Sequence, residues 1–433
     1  MSESILLKGG RVIDPSQSLD DTADVLLVAG KVEAVGPRVA NDAAGRDRLE
    51  TIDCAGLVVS PGFIDVHCHL REPGREEVET IATGARAAVA GGFTAVCAMP
   101  NTDPVTDNQA AVGFIIRQAS IADAARVYPI GAISVGQRGE SLAEFGEMVS
   151  AGAVAVSDDG KPVASAHLMR TALEYARTFG IPVADHCEEP TLAKGGAMNE
   201  GVVSARLGLK GIPAEAEEIM VIRDILLARR TGGHIHLCHM STRGSVELIR
   251  WGKERGINVT AEVCPHHLSL TEDAVDGYET NAKMNPPLRT ADDVAALREA
   301  VRDGTIDLIA TDHAPHHYDE KEREFADAPN GIIGLETALA VNITWLVASD
   351  VIDLGVLIER MSCAPARTFK LPGGSLGRGA PADVTVFDPH AKWVVDPKRF
   401  KSKGRNTPYA GETLQGCARC TIVGGRVVHR VEL

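Results

Sequence analysis

Histidine and aspartate side chains stand directly after several short apolar runs, a setting and a chemistry typical of metal ligands. They are His67 and His69 in GFIDVHCHL, the pair Asp158-Asp159, His186, His239 and Asp312. Residues i and i+2 of a strand point to the same side, so His67 and His69 can bind one ion. A single histidine on an apolar strand is usually a buried core residue. Four histidines and two aspartates at five strand ends are better explained as a metal site.

Zinc is the preferred metal for ligands of this kind, with manganese or cobalt as substitutes. Six ligands are too many for one tetrahedral ion that keeps an open position. We therefore predict two zinc ions per chain, one held by His67, His69 and Asp312, the other by His186 and His239, with a carboxylate between them. Two ions roughly 3.5–4 Å apart can share a hydroxide, and binding lowers the pKa of the parent water toward about 7. The pattern thus predicts a hydrolytic nucleophile at neutral pH.

The elements that carry these residues alternate between strand-like and helical patterns. The strand-like runs are GFIDVHCHL, FTAVCAMP, VYPIGAIS, AVAVSDDG, IPVADHCE, HIHLCHMS, NVTAEVCPHH and DLIATDHAPH. One predicted helix begins after Thr290, a capping residue with Asp293 three positions on, and ends at Gly304. Such alternation predicts a parallel sheet, and eight units in roughly 300 residues fit a closed (β/α)8 barrel better than an open sheet. A barrel places its active site at the C-terminal ends of its strands, where the polar residues lie.

Both chain ends are β-rich and differ from the middle. KGGRVIDP near the start and VGGRVVHR near the end are similar hairpin-like pieces with glycine turns. We predict an α/β fold in which both ends form one small β-sandwich domain beside the barrel. Residues 1–60 supply its N-terminal part, 61–368 form the metal-dependent barrel, and 369–433 supply its C-terminal part.

The composition is that of a globular protein with an acidic surface. Lys+Arg number 44 and Asp+Glu 59, giving a formal charge of −15, which argues against nucleic acid as a partner. One or two arginines can still hold a small anionic substrate. We see no apolar run long enough to span a membrane and no secretory signal, and nine cysteines without framework spacing suit a cytoplasmic protein. Cys417 and Cys420 form a CxxC, which alone is a weak zinc signal.

Three segments, taken together and in this order, resemble signatures of dihydroorotases in the amidohydrolase superfamily. Residues 65–74, DVHCHLREPG, are similar to the HxHxREPG signature, and KMNPPLR at 283–289 and DHAPH at 312–316 resemble two further ones. The resemblance covers essentially the whole chain. It implies reversible ring closure of N-carbamoyl-L-aspartate to L-dihydroorotate plus water, a step of de novo pyrimidine (UMP) biosynthesis.

The resemblance also bears on the ligand between the two ions. Hydantoinases, dihydropyrimidinases and allantoinases typically use a carboxylated lysine at the end of strand four. This chain has Val-Ser-Asp-Asp-Gly there, with Lys161 beyond it in the loop. An aspartate at this place is similar to the bacterial class I dihydroorotases, which bridge their metals with Asp. Family spacing favours Asp159, with Asp158 as the alternative because a one-residue slip reverses the strand face.

The substrate contacts are carried over from the family residue by residue. Arg71 and Asn101 are expected to bind the substrate carboxylate, His316 to complete that anion pocket, and Asn285 to contact the ring. In the hydrolytic direction a metal-bridging hydroxide attacks the amide carbonyl. Asp312 is the expected general acid/base, which accepts the hydroxide's proton and delivers it to the departing amide nitrogen.

One segment departs from the family pattern. Where the family often has Phe-Gly in a loop that covers the substrate, this chain has Asn330-Gly331. If that loop binds substrate through backbone groups, Asn330 changes little; if a phenylalanine ring normally packs there, affinity or substrate preference changes. We interpret His266-His267 as supporting or structural residues and not as metal ligands.

Two alternatives compete with this interpretation. The first is another cyclic-amide hydrolase of the hydantoinase, dihydropyrimidinase or allantoinase kind, against which the aspartate bridge and the REPG arginine count. The second is a non-catalytic scaffold for aspartate transcarbamoylase, which we expect to lack the metal ligands that this chain has. By analogy alone, we expect a homo-oligomer, and an aspartate transcarbamoylase partner is compatible with the resemblance.

Overall fold

A computed structural model of the chain describes residues 4–43 and 48–431. The N-terminal segment supplies the strands β1 (Ser4–Asp14), β2 (Leu19–Val28), β3 (Lys31–Gly36), β4 (Leu49–Asp53) and β5 (Val58–Pro61). The central segment supplies β6 (Phe63–Cys68), β7 (Phe93–Ala98), β8 (Arg126–Gly131), β9 (Ala155–Ser157), β10 (Val183–Asp185), β11 (Met198–Asn199), β12 (Gly211–Ile212), β13 (Ile235–Leu237), β14 (Val259–Val263) and β15 (Leu308–Ile309). The C-terminal segment supplies β16 (Val384–Val394), β17 (Thr413–Val423) and β18 (Arg426–Arg430).

Eight of these strands form the barrel, in the parallel order β6-β7-β8-β9-β10-β13-β14-β15, while β11 and β12 pair with each other. Seven barrel strands lie within one of the eight apolar runs, and β8 begins one residue before its run, so the predicted (β/α)8 architecture is confirmed. Strands such as β6 and β7 are buried along their whole length, which explains why they appear as continuous apolar runs and not as alternating ones.

Fifteen α-helices accompany the described strands. They are α1 (Val39–Ala43), α2 (Ile81–Ala90), α3 (Gln109–Ala122), α4 (Phe145–Ala151), α5 (Ala166–Phe179), α6 (Pro190–Ala193), α7 (Val202–Leu207), α8 (Glu215–Thr231), α9 (Arg243–Glu254), α10 (Pro265–Ser269), α11 (Ala291–Asp303), α12 (Tyr318–Lys321), α13 (Ala338–Asn342), α14 (Leu354–Ile358) and α15 (Ala364–Phe369). The predicted Thr290-capped helix is α11: the Thr290 hydroxyl accepts from the Asp293 N–H, and Gly304 ends the helix with φ +86°. None of the described helices combines the length and apolar character needed to cross a membrane.

The two chain ends share one sheet in the order β18-β17-β16-β5-β1-β2-β3, with β4 paired to β1. Strand β5 joins the ends, because it pairs in parallel with β1 and antiparallel with β16. A separate apolar cluster that includes Val12, Val59 and Val386 fills this part of the molecule. The small β-domain assembled from both ends is therefore confirmed, while the bounds 1–60, 61–368 and 369–433 stay a prediction.

A buried aspartate closes the barrel between its first and last strands. Strand β15 is only two residues long, and a parallel bridge between Cys68 and His313 continues the seam. The Asp65 carboxylate accepts the Thr311 N–H at 2.9 Å and the Thr311 hydroxyl at 2.6 Å. His67 lies two residues after Asp65, and Asp312 directly follows Thr311, so the seam fixes the distance between the first and last strand ends.

We predict that Asp65→Ala lowers the free energy of unfolding by about 2–4 kcal/mol, because the buried Thr311 donors lose their acceptor. Urea unfolding followed by circular dichroism measures this. Asp53→Ala is the matched control, because Asp53 is exposed and accepts the Ala55 N–H in a turn; it should cost less than about 1 kcal/mol. Equal losses in the two variants would contradict the assigned role of Asp65.

Candidate active site

The residues predicted as ligands of the first ion lie together where strands β6 and β15 end. His69 Nε2 is 3.0 Å from Asp312 Oδ1, and His67 Nε2 is 3.5 Å from the same oxygen. All three side chains are almost completely buried. The i, i+2 spacing of the histidines thus brings both rings to one carboxylate at the barrel mouth.

Asp159 lies between this group and the two remaining histidines. Its Oδ1 is 3.4 Å from His67 Nε2 and from His239 Nε2, and 3.7 Å from His186 Nδ1. Its Oδ2 is 3.4 Å from His69 Nε2. One carboxylate therefore faces all four imidazoles. Two of these rings stand at the end of the first barrel strand, and the other two follow the fifth and the sixth.

These distances suit metal ions. Four ligands at about 2.0–2.2 Å in a tetrahedron lie about 3.3–3.6 Å apart, which is the spacing of most nitrogen–oxygen pairs here. His67 Nε2 is buried with no hydrogen-bond partner among the described residues. Burial lowers the pKa of His186, but the carboxylates of Asp159 and Glu188, 3.7 and 3.9 Å from its ring nitrogens, outweigh burial and raise it to about 10. The carboxylates of the cluster therefore favour positive charge between them and the imidazoles, and these side chains can hold metal ions.

Further side chains aim the histidine rings. His67 Nδ1 donates to Glu262 Oε1 at 2.6 Å, and His69 Nδ1 donates to Asn101 Oδ1 at 2.8 Å. Each bond places the ring hydrogen on Nδ1, so the lone pair of Nε2 points into the cluster. The backbone N–H of His239 also donates to Glu262 Oε1, at 3.3 Å. Glu262 thus supports histidines from both sides of Asp159.

Three site residues have left-handed backbone conformations that side chains other than glycine rarely adopt. Their φ values are 60° at Arg71, 39° at His239 and 47° at Asp312. Such conformations cost about 1–3 kcal/mol each and persist where the surroundings impose them, commonly at functional sites. Here they occur at or just past the ends of barrel strands, where the chain turns toward the cavity.

The structure separates the two neighbouring aspartates. Asp158 Oδ1 accepts the backbone N–H groups of Ile133 and Ser134 at 2.9 and 3.1 Å, and its Oδ2 accepts the Ser134 hydroxyl. Asp158 is thereby committed to the turn after β8, whereas Asp159 faces the histidines. Lys161 is exposed. The geometry favours Asp159 over Asp158 as the central carboxylate.

A cavity of about 230 Å³ opens above the cluster. Its lining contains every residue predicted to contact substrate, namely Arg71, Asn101, Asn285, His316, Asn330 and Gly331. Five of the six predicted metal ligands, His69 and His186 among them, line the same space. This volume suits a small metabolite and not a polymer.

Arg71, the residue predicted to bind the substrate carboxylate, contacts only uncharged groups in its hydrogen bonds with the residues that the structure describes. Arg71 Nε donates to the Pro315 carbonyl at 3.2 Å, and its guanidinium approaches His316 Nε2 at 3.5 Å. Burial lowers the pKa of Arg71 to about 10, which leaves it charged at neutral pH. Burial and the neighbouring Arg71 lower the pKa of His316 to about 3, so that ring is neutral. These contacts leave the charge of Arg71 available to a carboxylate.

Asn330 and His316 meet through the backbone. The Asn330 side chain is exposed, and its carbonyl accepts the His316 Nε2–H at 2.8 Å. Of the two expectations for the Asn-Gly departure, the backbone arrangement is the one that the geometry favours. It also means that a carboxylate at His316 must share a hydrogen already donated to Asn330.

Sequence reasoning missed several residues of the site. Glu262 carried a signal, because an acid inside the apolar run NVTAEVCPHH requires buried partners. Glu188 accepts the Asn285 amide at 2.8 Å. Asn406 gave no signal; it reaches in from the C-terminal segment, where it accepts the His316 N–H and donates to the Gly331 carbonyl. His267, interpreted as structural, donates to the Pro286 carbonyl at 2.9 Å.

The sequence of this chain is similar to those of known proteins. A family model described as "Dihydro-orotase-like" matches residues 56–245. The chain is 54% identical to a dihydroorotase of Geotalea daltonii, with 99% of each chain covered. It is 55% identical to a dihydroorotase of Anaeromyxobacter dehalogenans, with 99% of this chain and 98% of the relative covered.

Solved structures with the same architecture include hydantoinases. The L-hydantoinase (dihydropyrimidinase) of Arthrobacter aurescens superposes with a TM-score of 0.88 at 26% identity, over 99% of this chain and 96% of that one. A D-hydantoinase of Bacillus sp. AR9 gives 0.84 at 25% identity, over 98% and 95%.

A (β/α)8 barrel with histidines and aspartates gathered at its mouth defines the class as that of the amidohydrolases. Within that class, more than half of the residues are identical to those of curated relatives over nearly the whole length. The chain belongs to the dihydroorotase family.

We predict that Lys161→Ala leaves the metal content per chain and the turnover within about twofold of the unchanged protein, because the lysine is exposed and Asp159 occupies the centre of the cluster. Elemental analysis and steady-state assays measure this, with and without added bicarbonate. Suppose instead that Lys161→Ala loses metal, and that bicarbonate raises the metal content of the unchanged protein but not of the variant. That result would show that a carboxylated lysine is the bridge.

Proposed function

We propose that the chain is a dihydroorotase, which interconverts N-carbamoyl-L-aspartate and L-dihydroorotate plus water. The observation that carries this proposal is the lining of the cavity, in which the Arg71 cation stands together with Asp159, Asp312 and their histidines. A cyclic amide that carries a carboxylate has one group for the cation and one for the cluster. The identity to curated dihydroorotases supports the same conclusion.

We propose zinc as the metal, two ions per chain, with His67, His69 and Asp312 around one, His186 and His239 around the other, and Asp159 between them. When bound, zinc would polarise the ring amide carbonyl and lower the pKa of a water toward about 7. The donor set, imidazole nitrogens with carboxylate oxygens, suits zinc.

The protein's own residues bind and orient the substrate. Arg71 holds the carboxylate through its guanidinium. Asn101 offers its amide N–H2, because its Oδ1 already accepts from His69. His316 completes this pocket, while Asn285 and the backbone groups of Asn330 and Gly331 face the ring. Together these contacts present the amide carbonyl to the cluster.

Asp312 moves the proton. In hydrolysis its carboxylate takes a proton from the attacking water and delivers it to the departing ring nitrogen; in ring closure the steps run backward. The neighbouring histidines outweigh burial and hold the pKa of Asp312 below its usual range, so it is ionised and able to act as a base at neutral pH. Closure consumes one proton overall near neutrality, so lower pH favours dihydroorotate and higher pH favours hydrolysis.

The second candidate is hydrolysis of an uncharged cyclic amide, which the likeness to the hydantoinase of Arthrobacter aurescens favours. Arg71 weighs against it, since a partly buried cation in the cavity gains nothing from a hydantoin or dihydropyrimidine ring without an acid group. A scaffold without catalysis has no use for the aligned histidines. We also propose a cytoplasmic homo-oligomer, and association with aspartate transcarbamoylase is a proposal to test by co-sedimentation.

We predict turnover of L-dihydroorotate and little or none of dihydrouracil, hydantoin or allantoin. Dihydrouracil is the sharpest comparison, because it is the same ring without the carboxylate. Arg71→Met should lower kcat/KM for dihydroorotate by about 100-fold or more, while any residual activity on dihydrouracil stays the same, because only the carboxylate contact is lost.

Equal turnover of dihydroorotate and dihydrouracil by the unchanged protein would contradict the proposed substrate. An equal loss on both substrates in Arg71→Met would instead show that Arg71 acts on the cluster and not on the carboxylate. Metal content per chain, measured on the same samples, separates these two effects.

A further inference from the structure

The segment of residues 326–331, here called the cavity loop, has an unusual set of hydrogen bonds. It follows α12 and ends in Asn330 and Gly331, which line the cavity. The side chain of Phe325, just before it, is buried in an apolar cluster with Met284 and Ile332. No residue of the loop belongs to a described helix or strand, so other groups must satisfy its backbone.

Two buried lysines supply most of the hydrogen-bond donors to the carbonyls of the loop. Lys321 and Lys283 are each only 5% exposed. Lys321 Nζ donates to the carbonyls of Pro329 at 2.8 Å, Thr280 at 2.9 Å and Lys283 at 3.3 Å. Lys321 therefore ties the cavity loop to the KMNPPLR segment beside it.

Lys283 completes the arrangement from that segment. Its Nζ donates to the Ala326 carbonyl at 2.8 Å and the Ala328 carbonyl at 2.7 Å, and it lies 5.4 Å from the centre of the Phe325 ring. Its own carbonyl accepts the Gly331 N–H at 3.0 Å. The two ends of the loop are thus fixed to one residue.

The result is a loop whose carbonyls point inward to side-chain donors. Four of its first five carbonyls accept such bonds, those of 326 and 328 from Lys283, 329 from Lys321 and 330 from His316. Bonds from ammonium groups are about twice as strong as neutral ones. Burial opposes the arrangement, lowering the pKa of Lys321 to about 7 and lowering that of Lys283 as well. Apolar side chains would fill the same space without this cost, but they would not orient the carbonyls.

We propose that Lys283 and Lys321 are positioning residues that fix the cavity loop before substrate binds and thereby set the affinity for the anionic cyclic amide. A loop already in its bound conformation loses little entropy on binding. The Asn330 carbonyl then holds the His316 ring beside Arg71, and Gly331 lies against Ala314 and His316 in the same part of the lining. The identity of the substrate in this inference rests on the proposed function, whereas the order of the loop does not.

The test uses Lys321→Met and Lys283→Met in the full-length, metal-loaded protein. We expect KM for L-dihydroorotate to rise about 10- to 100-fold, with kcat and metal content within about twofold, because buried charged hydrogen bonds to the loop are lost. Amide hydrogen exchange of residues 326–331, followed by mass spectrometry without substrate, should accelerate by at least about tenfold. Lys370→Met is the matched control: Lys370 is exposed, donates to the Gly180 carbonyl, and should change neither quantity.

Folded variants with unchanged KM and unchanged loop exchange would overturn the proposal. A fall in kcat and metal content with KM unchanged would overturn it too, because it would place the lysines' effect at the metal cluster. If Lys321→Met does not fold, Lys321→Gln carries the test, since its amide retains a donor and should give an intermediate KM. If the unchanged protein fails to hydrolyse dihydroorotate, the proposed function falls, and the exchange measurement alone decides whether the lysines order the loop.

Discussion

Buried carboxylates and imidazoles that face one another at the barrel mouth are the constraint on which the rest of the site depends. Taking Asp159 and Asp312 out of water is costly unless positive charge compensates them. The surrounding rings turn their nitrogens toward these oxygens at 3.0–3.7 Å. Protonated histidines offer one means of compensation, and metal ions offer another that also leaves the histidines neutral.

The supporting contacts favour metal ions. Glu262 and Asn101 take the Nδ1 hydrogens of His67 and His69, which points both Nε2 lone pairs into the cluster. Arrangements of this kind are typical of metal-bound histidine. The barrel supplies the distances, because its closure through Asp65 and Thr311 sets the first strand end against the last. The cavity above then needs only one cation in its lining, Arg71, to select an acidic substrate.

Much of this organisation was predictable from the sequence, for physical reasons that can be named. The barrel strands appear as apolar runs because both of their faces are buried, and α11 was predictable from the capping box of Thr290 and Asp293. The clustered ligands were predictable because parallel strands deliver their ends to one face.

Other features depend on tertiary contacts that a sequence does not display. Choosing between Asp158 and Asp159 requires the turn after β8, where the Ile133 and Ser134 N–H groups donate to the Asp158 carboxylate. Asn406 joins the site from a segment about a hundred residues beyond the nearest ligand in the chain. Lysine is usually a surface residue, so the sequence gives no reason to single out the two lysines beside the cavity loop. Only their burial shows that they donate to the carbonyls of the loop.

The central claim is that the histidine–aspartate cluster is a two-ion site centred on Asp159, and an anomalous difference map tests it most directly. Crystals grown without chelator should give two peaks at the zinc absorption edge, roughly 3.5–4 Å apart, on either side of the Asp159 carboxylate. Peaks that lie against Asp158 or a modified Lys161, or a single ion with Asp159 uncoordinated, would contradict the account.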